Sequence, residues 1–306
     1  MASANAPRYH LWWLAVPYLL LVLALIVIPF IATLHKSLSA SHGVAFTLLS
    51  NPSAAIAEPA TAANYLAILE EERGRKLVGT TLILAAAVAT LLSAIALFAG
   101  YFMARSTRWS QIVNAIVTFP SLAPAVTIVF GILWLFGPTG PINQLLWKVL
   151  GISSMPIEFT GTMLAVILGD MALFSTIAVR LVAAVFESID PALEAVASSL
   201  GASDTQIFRL VLLPLVLPGL AAAWIFVFIR TMAAYVAALV LGGGTQGIVV
   251  IPLEIFMEIN SLGTTGTIGK AAALAVTLVV TTLVGRIVFL ALMRRFFRER
   301  LGTELL

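Results

Sequence analysis

Long stretches without a charged side chain dominate this sequence and restrict the folds that it can form. Leu11 to Leu34 is the first of them, with 24 residues and no charge. About 20 apolar residues are enough for a helix to cross the hydrocarbon core of a bilayer. Of the 306 residues, 61% are hydrophobic and only 10% are charged, far outside the range of soluble proteins. The chain is therefore predicted to be an all-α membrane protein.

Six of these stretches have the length and composition of a transmembrane helix. The predicted spans are Leu11–Leu34, Leu77–Ala104, Ile112–Phe136, Phe159–Phe186, Leu215–Leu241 and Ile268–Met293. Prolines near the middle of the third span, Pro120 and Pro124, are expected to bend it. A charged residue before the first span also fits a signal peptide, but the apolar core of a signal peptide is usually only about 7–15 residues long. We therefore expect a retained first span.

The distribution of Lys and Arg predicts the side of the membrane on which each loop lies. Six spans place both termini on the same side. Eight Lys and Arg residues lie on that side, and six lie on the opposite side although its loops are longer. Because cytoplasmic loops carry an excess of these residues, both termini and the loop before the fifth span are predicted to be cytoplasmic. Arg75 and Lys76 go against this rule, next to acidic residues.

The loop at 190–214, DPALEAVASSLGASDTQIFRLVLLP, is predicted to form two short helices joined at a glycine. Asp190 is a suitable N-cap and Pro191 fits the first helical position. From Leu193 to Leu200, apolar residues recur at i, i+3, i+4 and i+7, which predicts one apolar helix face. The loop is either a turn that only connects two spans or a handle that another protein binds.

The junction and the second helix also follow from local signals. Gly201 can adopt the left-handed conformation that ends a helix. Ser203 and Gln206 have the spacing of a capping box, which starts the next helix. That helix is expected to run from Gln206 to Leu213, into Pro214 and Pro218 and from there into the next apolar run.

These residues resemble the EAA loop of the permease subunits of type I ABC importers. That loop has a Glu-Glu-Ala-Ala stretch, then Leu-Gly-Ala-Ser, then Leu-Pro thirteen residues after the glycine, and residues 200–203 and 213–214 stand at this spacing. One position departs from the pattern, because Ala195 occupies the place of the glutamate and Glu194 precedes it. A shift of one residue turns a side chain by about 100° around the helix. The glycine and the apolar face therefore match the family better than the carboxylate does.

The resemblance implies the type I ABC importer permease fold in the bacterial inner membrane, with residues 77–298 as the permease module. Residues 1–76 are then a first transmembrane helix and a periplasmic loop, and 299–306 a cytoplasmic tail. The implied partners are two ATP-binding cassette ATPase subunits, a second permease, identical or paralogous, and an extracytoplasmic substrate-binding protein. The chain itself is expected to be non-catalytic and without a cofactor, since the ATPase binds ATP and Mg²⁺. The residues implied in ATPase coupling are Glu194, Ala195, Ala197, Leu200, Gly201, Ala202, Ser203 and Pro214.

Within the family, three stretches look most similar to permeases for ferric iron, phosphonates and polyamines. They are FGPTGPINQLL at 136–146, FIRTM at 228–232 and GGGTQ at 243–247.

Other kinds of site are not favoured by the sequence. The stretch 263–271 has five residues between its outer glycines and an alanine after the lysine, whereas a P-loop needs four residues and Ser or Thr. With no cysteine and three scattered histidines, neither a metal site nor a catalytic triad can be assembled. Arg209 is the one cation in the 191–213 helices, so nucleic-acid binding is not expected.

Four charged residues lie within the predicted spans, where each must reach protein, water or an interface. Arg180 and Arg286 are close enough to the cytoplasmic ends of their helices to extend to the interface. Asp170 and Arg230 lie deeper and are predicted to pair across the fourth and fifth spans. Such a pair is either structural or a charged wall of a translocation path.

Two other functional classes fit the sequence less well than the importer. An ion-coupled secondary transporter that acts without an ATPase would show inverted repeats and acidic residues at mid-membrane. The sequence has no clear internal repeat and a single deep carboxylate, Asp170. An intramembrane enzyme would need a catalytic set that the sequence lacks.

Overall fold

The computed structural model describes residues 16–38, 61–105, 107–151, 158–244, 247–261 and 268–301. The start of the predicted first span, most of the loop after it and residues 263–267 of the glycine-rich stretch lie outside these ranges. The helices of the described residues are α1 (Val16–Ser37), α2 (Ala63–Glu70), α3 (Glu72–Arg105), α4 (Thr107–Leu122), α5 (Ala125–Phe136), α6 (Pro141–Leu150), α7 (Met163–Ser188), α8 (Ala192–Ser199), α9 (Asp204–Met232), α10 (Val236–Leu241), α11 (Ile251–Asn260) and α12 (Ile268–Leu301).

Six helical stretches in the described part of the chain are long and apolar enough to cross a membrane, which confirms the predicted number. Several of their bounds differ from the prediction, most of all in the fifth span, which was predicted to reach Leu241 but whose helix ends at Met232. The second crossing, α3, begins at Glu72 and not at Leu77, and Glu72 and Lys76 form an exposed ion pair across its first turn, with Oε1 and Nζ 2.6 Å apart. The fifth, α9, is continuous through Pro214. A wider π-helical turn, Ile207–Leu212, lies directly before this proline, and such turns accommodate a lost backbone hydrogen bond.

The third crossing consists of two helices, α4 and α5, separated at residues 123–124. By length and hydropathy alone, the third of the six stretches is Ala125–Val149, which comprises α5 and most of α6. However, Gly140 is extended and Pro141 starts a separate helix, so α5 and α6 are not one rod. We assign the crossing to α4 and α5, because α4 packs against α3 and α7 while α5 packs against α7 and α10.

The centre of the bundle is formed by α3, α7 and α9, which make the most extensive helix contacts other than that between α1 and α12. Small residues allow this close approach, as is usual between helices in lipid. Gly100 of α3 lies against Val182 and Ala183 of α7, and a Cβ there would come within 3.0 Å of them. Gly219 of α9 similarly lies against Val185. These contacts fix the positions of the three helices relative to one another along the bundle axis.

The two ends of the bundle differ in their structure. At one end, here called the loop end, α7 is followed by α8 and the start of α9. At the opposite end, called the far end, lie α2, α6 and α11. Glu254 of α11 there pairs with Arg73 at 3.2 Å and Lys270 at 3.9 Å, measured between carboxylate oxygens and side-chain nitrogens. The outer helix α1 packs on α12 and leaves most of its apolar surface exposed, as suits contact with lipid.

Candidate functional site

The loop between α7 and α9 has the two-helix structure that its sequence predicts. The Asp190 carboxylate accepts a hydrogen bond from the Ala192 N–H at 2.9 Å and so caps α8. Gly201 ends α8 with a φ of +86°. The Gly201 N–H bonds to the Ser198 carbonyl and the Ala202 N–H to the Ala197 carbonyl, which together make a Schellman motif. The expected left-handed glycine is therefore confirmed.

The second half of the loop is joined to α9 and anchored in the bundle. Gln206 Oε1 accepts a hydrogen bond from the Ser203 N–H at 2.8 Å, as in the predicted capping box. Ile207 is buried, and the Phe208 ring packs edge-on against Tyr101 of α3, with ring centroids 5.4 Å apart. The loop is thus a fixed projection from the bundle.

The apolar face of α8 points away from the bundle. Leu193, Val196 and Leu200 are 45%, 58% and 82% exposed, and Leu210, at the start of α9, is 73% exposed. At a polar end of a membrane protein such a face has no lipid to cover it. Grouped exposed apolar side chains of this kind mark protein interaction sites.

Glu194 points in the opposite direction, towards the bundle. Its Oε1 lies 2.8 Å from Arg105 Nε, and both side chains are largely buried. Arg105 Nη2 also donates to the Ile189 carbonyl at 2.8 Å. Ala195, in the position where the EAA pattern has its glutamate, is exposed. The shifted carboxylate therefore holds the loop to the end of α3, and the outer face of α8 carries no charge at residue 195.

A second feature lies at membrane depth, where two helices are interrupted. The break between α4 and α5 falls at residues 123–124, and that between α9 and α10 at residues 233–235. Both breaks line one cavity of about 440 Å³. Its lining residues are Pro120, Ser121, Ala123, Ala125, Ile128, Leu173, Phe174, Thr176, Ile177, Arg230, Ala233, Ala234, Tyr235 and Val236. In membranes, irregular backbone is tolerated where it is buried in protein or lines a watery space.

Comparison with known proteins identifies the family. Residues 94–298 match the sequence profile of the binding-protein-dependent transport system inner membrane component. The chain belongs to this family. The permease is 30% identical over 164 residues to the molybdenum transport system permease protein ModB of Azotobacter vinelandii, a match that covers 53% of the permease and 70% of that protein. It is 28% identical over 176 residues to the spermidine/putrescine transport system permease protein PotB of Haemophilus influenzae, covering 56% and 61% of the two chains.

Solved structures show the same fold. The permease superimposes with a TM-score of 0.74 on a chain of a bacterial alginate ABC transporter in complex with an alginate-bound periplasmic protein, at 15% identity and covering 96% and 95% of the two chains. The protein is a multi-pass permease subunit of an ABC importer in the inner membrane. These findings favour the importer over the ion-coupled secondary transporter that the sequence left as an alternative.

The predicted ion pair between Asp170 and Arg230 is wrong. Asp170 is 1% exposed on the core face of α7, and its Oδ1 has no hydrogen-bond partner among the described residues. Arg230 is exposed, whereas Val227, Phe228 and Thr231 beside it are buried, so it lies on the side of α9 that faces away from the core. Sequence position gives the depth of both residues but not the direction in which each helix faces.

Arg180, which the sequence predicts to reach the interface, bonds to the neighbouring helix. Its Nη2 donates to Thr118 Oγ1 at 2.8 Å and to Asn114 Oδ1 at 3.3 Å, both on α4. This exposed strip continues along α4 into the cavity that contains Arg230. We call the strip the arginine face; its polar members are Asn114, Thr118, Ser121, Arg180, Arg230 and Tyr235.

The sequence singled out Arg230 as a translocation-path candidate, and Arg230 lines the cavity, but it did not indicate the rest of the arginine face or the second helix break. No Gly or Pro stands at residues 233–235, so the usual signal of a helix break is missing there. Within the described residues, no group of three or more His, Asp or Glu side chains is arranged to hold a metal ion.

Proposed function

We propose that the α8 loop is the element through which a separate ATPase drives this permease. The observation that carries the proposal is the exposed apolar face of α8 on a loop that is held firmly at its base. ATP and Mg²⁺ are then bound by the partner, and the chain itself is non-catalytic. Both termini lie on the cytoplasmic side with the loop, in agreement with the positive-inside bias of the sequence.

The arginine face and the cavity are proposed as this subunit's wall of the translocation path. A guanidinium group exposed to hydrocarbon is costly, so Arg180 and Arg230 require a watery path or another protein against this side of the bundle. A second permease, identical or paralogous, covers the face and completes the path. An extracytoplasmic binding protein delivers substrate to the far end. Both helix breaks open into the same cavity, and this supports the proposed arrangement.

The docking proposal can be tested by weakening the apolar face of α8 without disturbing its fold. The double variant Leu193→Gln/Leu200→Gln removes two exposed leucines from that face. Burial of a leucine contributes roughly 1.5–3 kcal/mol, so affinity for the ATPase should fall at least tenfold for each leucine that docking buries. The measurement is the amount of ATPase subunit that co-purifies with the permease from solubilised membranes.

Ser198→Gln is the matched control, because Ser198 is exposed on the opposite side of α8. It should leave the co-purified amount unchanged. Equal recovery of the ATPase with the double variant and the control would refute docking through this face.

A further inference from the structure

The charges of the arginine face indicate the kind of substrate that passes it. We infer that the translocation path carries an anion, whose oxygens bind in turn to the guanidinium groups of Arg180 and Arg230. The inference rests on the proposed assignment of this face to the path. The names of related permeases do not decide it, since they include both molybdenum and spermidine/putrescine.

Both arginines lack an acidic neighbour in the described part of the chain. Arg180 bonds to a hydroxyl and an amide oxygen, and no carboxylate lies within ion-pair distance of either guanidinium. Away from the bundle ends, Asp170 is the one carboxyl side chain in the described spans, and it is buried on the core face of α7. The positive charge along this face is therefore not neutralised within the described part of the subunit.

The two arginines lie at different depths and can act in sequence. Gly219 of α9 lies beside Val185 of α7, so Arg230, eleven residues further along, is level with about residue 174. Phe174 indeed lines the same cavity as Arg230. Arg180 is six residues from that level, a rise of about 9 Å along the helix axis. An anion that leaves one guanidinium can thus be reached by the next.

The chemistry of the face suits an oxyanion better than a cation or a neutral solute. A guanidinium presents its N–H groups in a planar fork that matches the oxygens of a carboxylate, phosphate or phosphonate. Ser121, Thr118 and Tyr235 add hydroxyl groups along the same strip. A cation would be repelled at two successive positions, and a neutral solute would accept hydrogen bonds from the guanidinium groups but gain no attraction between opposite charges.

The absence of cysteine from the sequence allows a direct test with charged thiol reagents. Ser121→Cys places a thiol in the cavity, and Ser198→Cys places one on the exposed loop as a reference for intrinsic reactivity. The complete importer, held in lipid nanodiscs, is treated with methanethiosulfonates that carry either a sulfonate or a trimethylammonium group. Relative to the thiol at position 198, we expect the thiol at position 121 to favour the anionic reagent about tenfold.

Substitution of the arginines shows whether they cause this preference. In the Ser121→Cys background, Arg180→Gln with Arg230→Gln should bring the ratio of the two rates to within about twofold of the value at position 198. Arg286→Gln is the control, since Arg286 is an exposed intramembrane arginine of α12 outside the cavity lining, and it should leave the ratio unchanged.

The two ways in which the inference can fail are distinguishable. If the thiol at position 121 reacts equally with both reagents or prefers the cationic one, the anion inference is overturned while the path assignment stands. That result is expected if carboxylates of a second permease neutralise the arginines. If neither reagent modifies this thiol, the cavity is not part of a watery path and the proposed path fails with the inference.

Discussion

The α8 loop and the arginine face are both surfaces in an environment that disfavours them, but with opposite chemistry. The loop exposes leucine and valine at a polar end of the bundle, whereas the arginine face exposes guanidinium groups at membrane depth. Apolar groups are unfavourable in water and charges are unfavourable in lipid. An exposed surface is thus informative when its polarity is wrong for its surroundings. The first surface needs a protein partner and the second needs a watery path.

The largest expected effect comes from the hinge of the loop. Gly201 has a φ of +86° and open space where a side chain would project, so backbone conformation alone disfavours substitution. A left-handed conformation costs an L-residue about 1–2 kcal/mol, and a β-branched residue tolerates it least. Gly201→Val should reduce uptake at least tenfold while ATP hydrolysis continues and membrane insertion is normal. The measurement is uptake per ATP hydrolysed in vesicles.

Gly201→Asn is the matched variant, because Asn accepts the left-handed conformation more readily than other residues do. It should retain most of the coupling. Normal coupling in the Gly201→Val variant would show that the loop does not need this turn. The loop would then not differ from the arginine face by requiring a fixed backbone conformation for its function.

A smaller effect is expected at the base of the loop. Arg105→Gln removes the ion pair to Glu194 and the bond to the Ile189 carbonyl, both of them largely shielded from solvent. The loss should be about 1–2 kcal/mol of loop stability, which corresponds to roughly tenfold faster limited proteolysis at residues 190–203. Arg209→Gln, at an exposed arginine of the same loop region, should leave the cleavage rate unchanged. Equal rates for both variants would mean that Arg105 does not anchor the loop.

The smallest effect is expected at Asp170. Because this carboxyl group forms no ion pair among the described residues, Asp170→Asn keeps the shape and removes no partner. Thermal stability should change by no more than about 0.5 kcal/mol and uptake by less than twofold. Arg230→Gln is the comparison. Similar large losses of stability and uptake in both variants would show that Asp170 and Arg230 do form the ion pair predicted from the sequence.

The loop could be predicted closely from sequence because its structure depends on short-range interactions. Asp190 as a cap, Gly201 as a left-handed stop and Gln206 as the return bond of a capping box act within a few residues of one another. The six crossings were also predictable, since apolar length is a property of the sequence alone. The bounds differ, since α3 begins at Glu72, α9 is continuous through Pro214 by way of a π-helical turn, and α9 ends at Met232 and not at Leu241.

The arginine face could not be predicted because it depends on how helices are rotated against each other. Asp170 and Arg230 have suitable depths for a pair, yet they face in different directions. The contact of Arg180 with Thr118 joins residues 62 positions apart in the sequence, and no local sequence pattern predicts it. The break after Met232 lacks both glycine and proline. Such features follow from packing, which a single sequence does not reveal.

Site-specific crosslinking can show whether the ATPase docks on the α8 loop. Leu200→Cys and Leu69→Cys each introduce one thiol into the cysteine-free chain, at exposed leucines of the loop end and the far end. Each variant is treated in the assembled importer with a short thiol-to-amine crosslinker, and the attached subunit is identified by mass spectrometry. We expect the thiol at position 200 to be joined to the ATPase and the thiol at position 69 not to be. Attachment of the ATPase at position 69, with none at position 200, would contradict it.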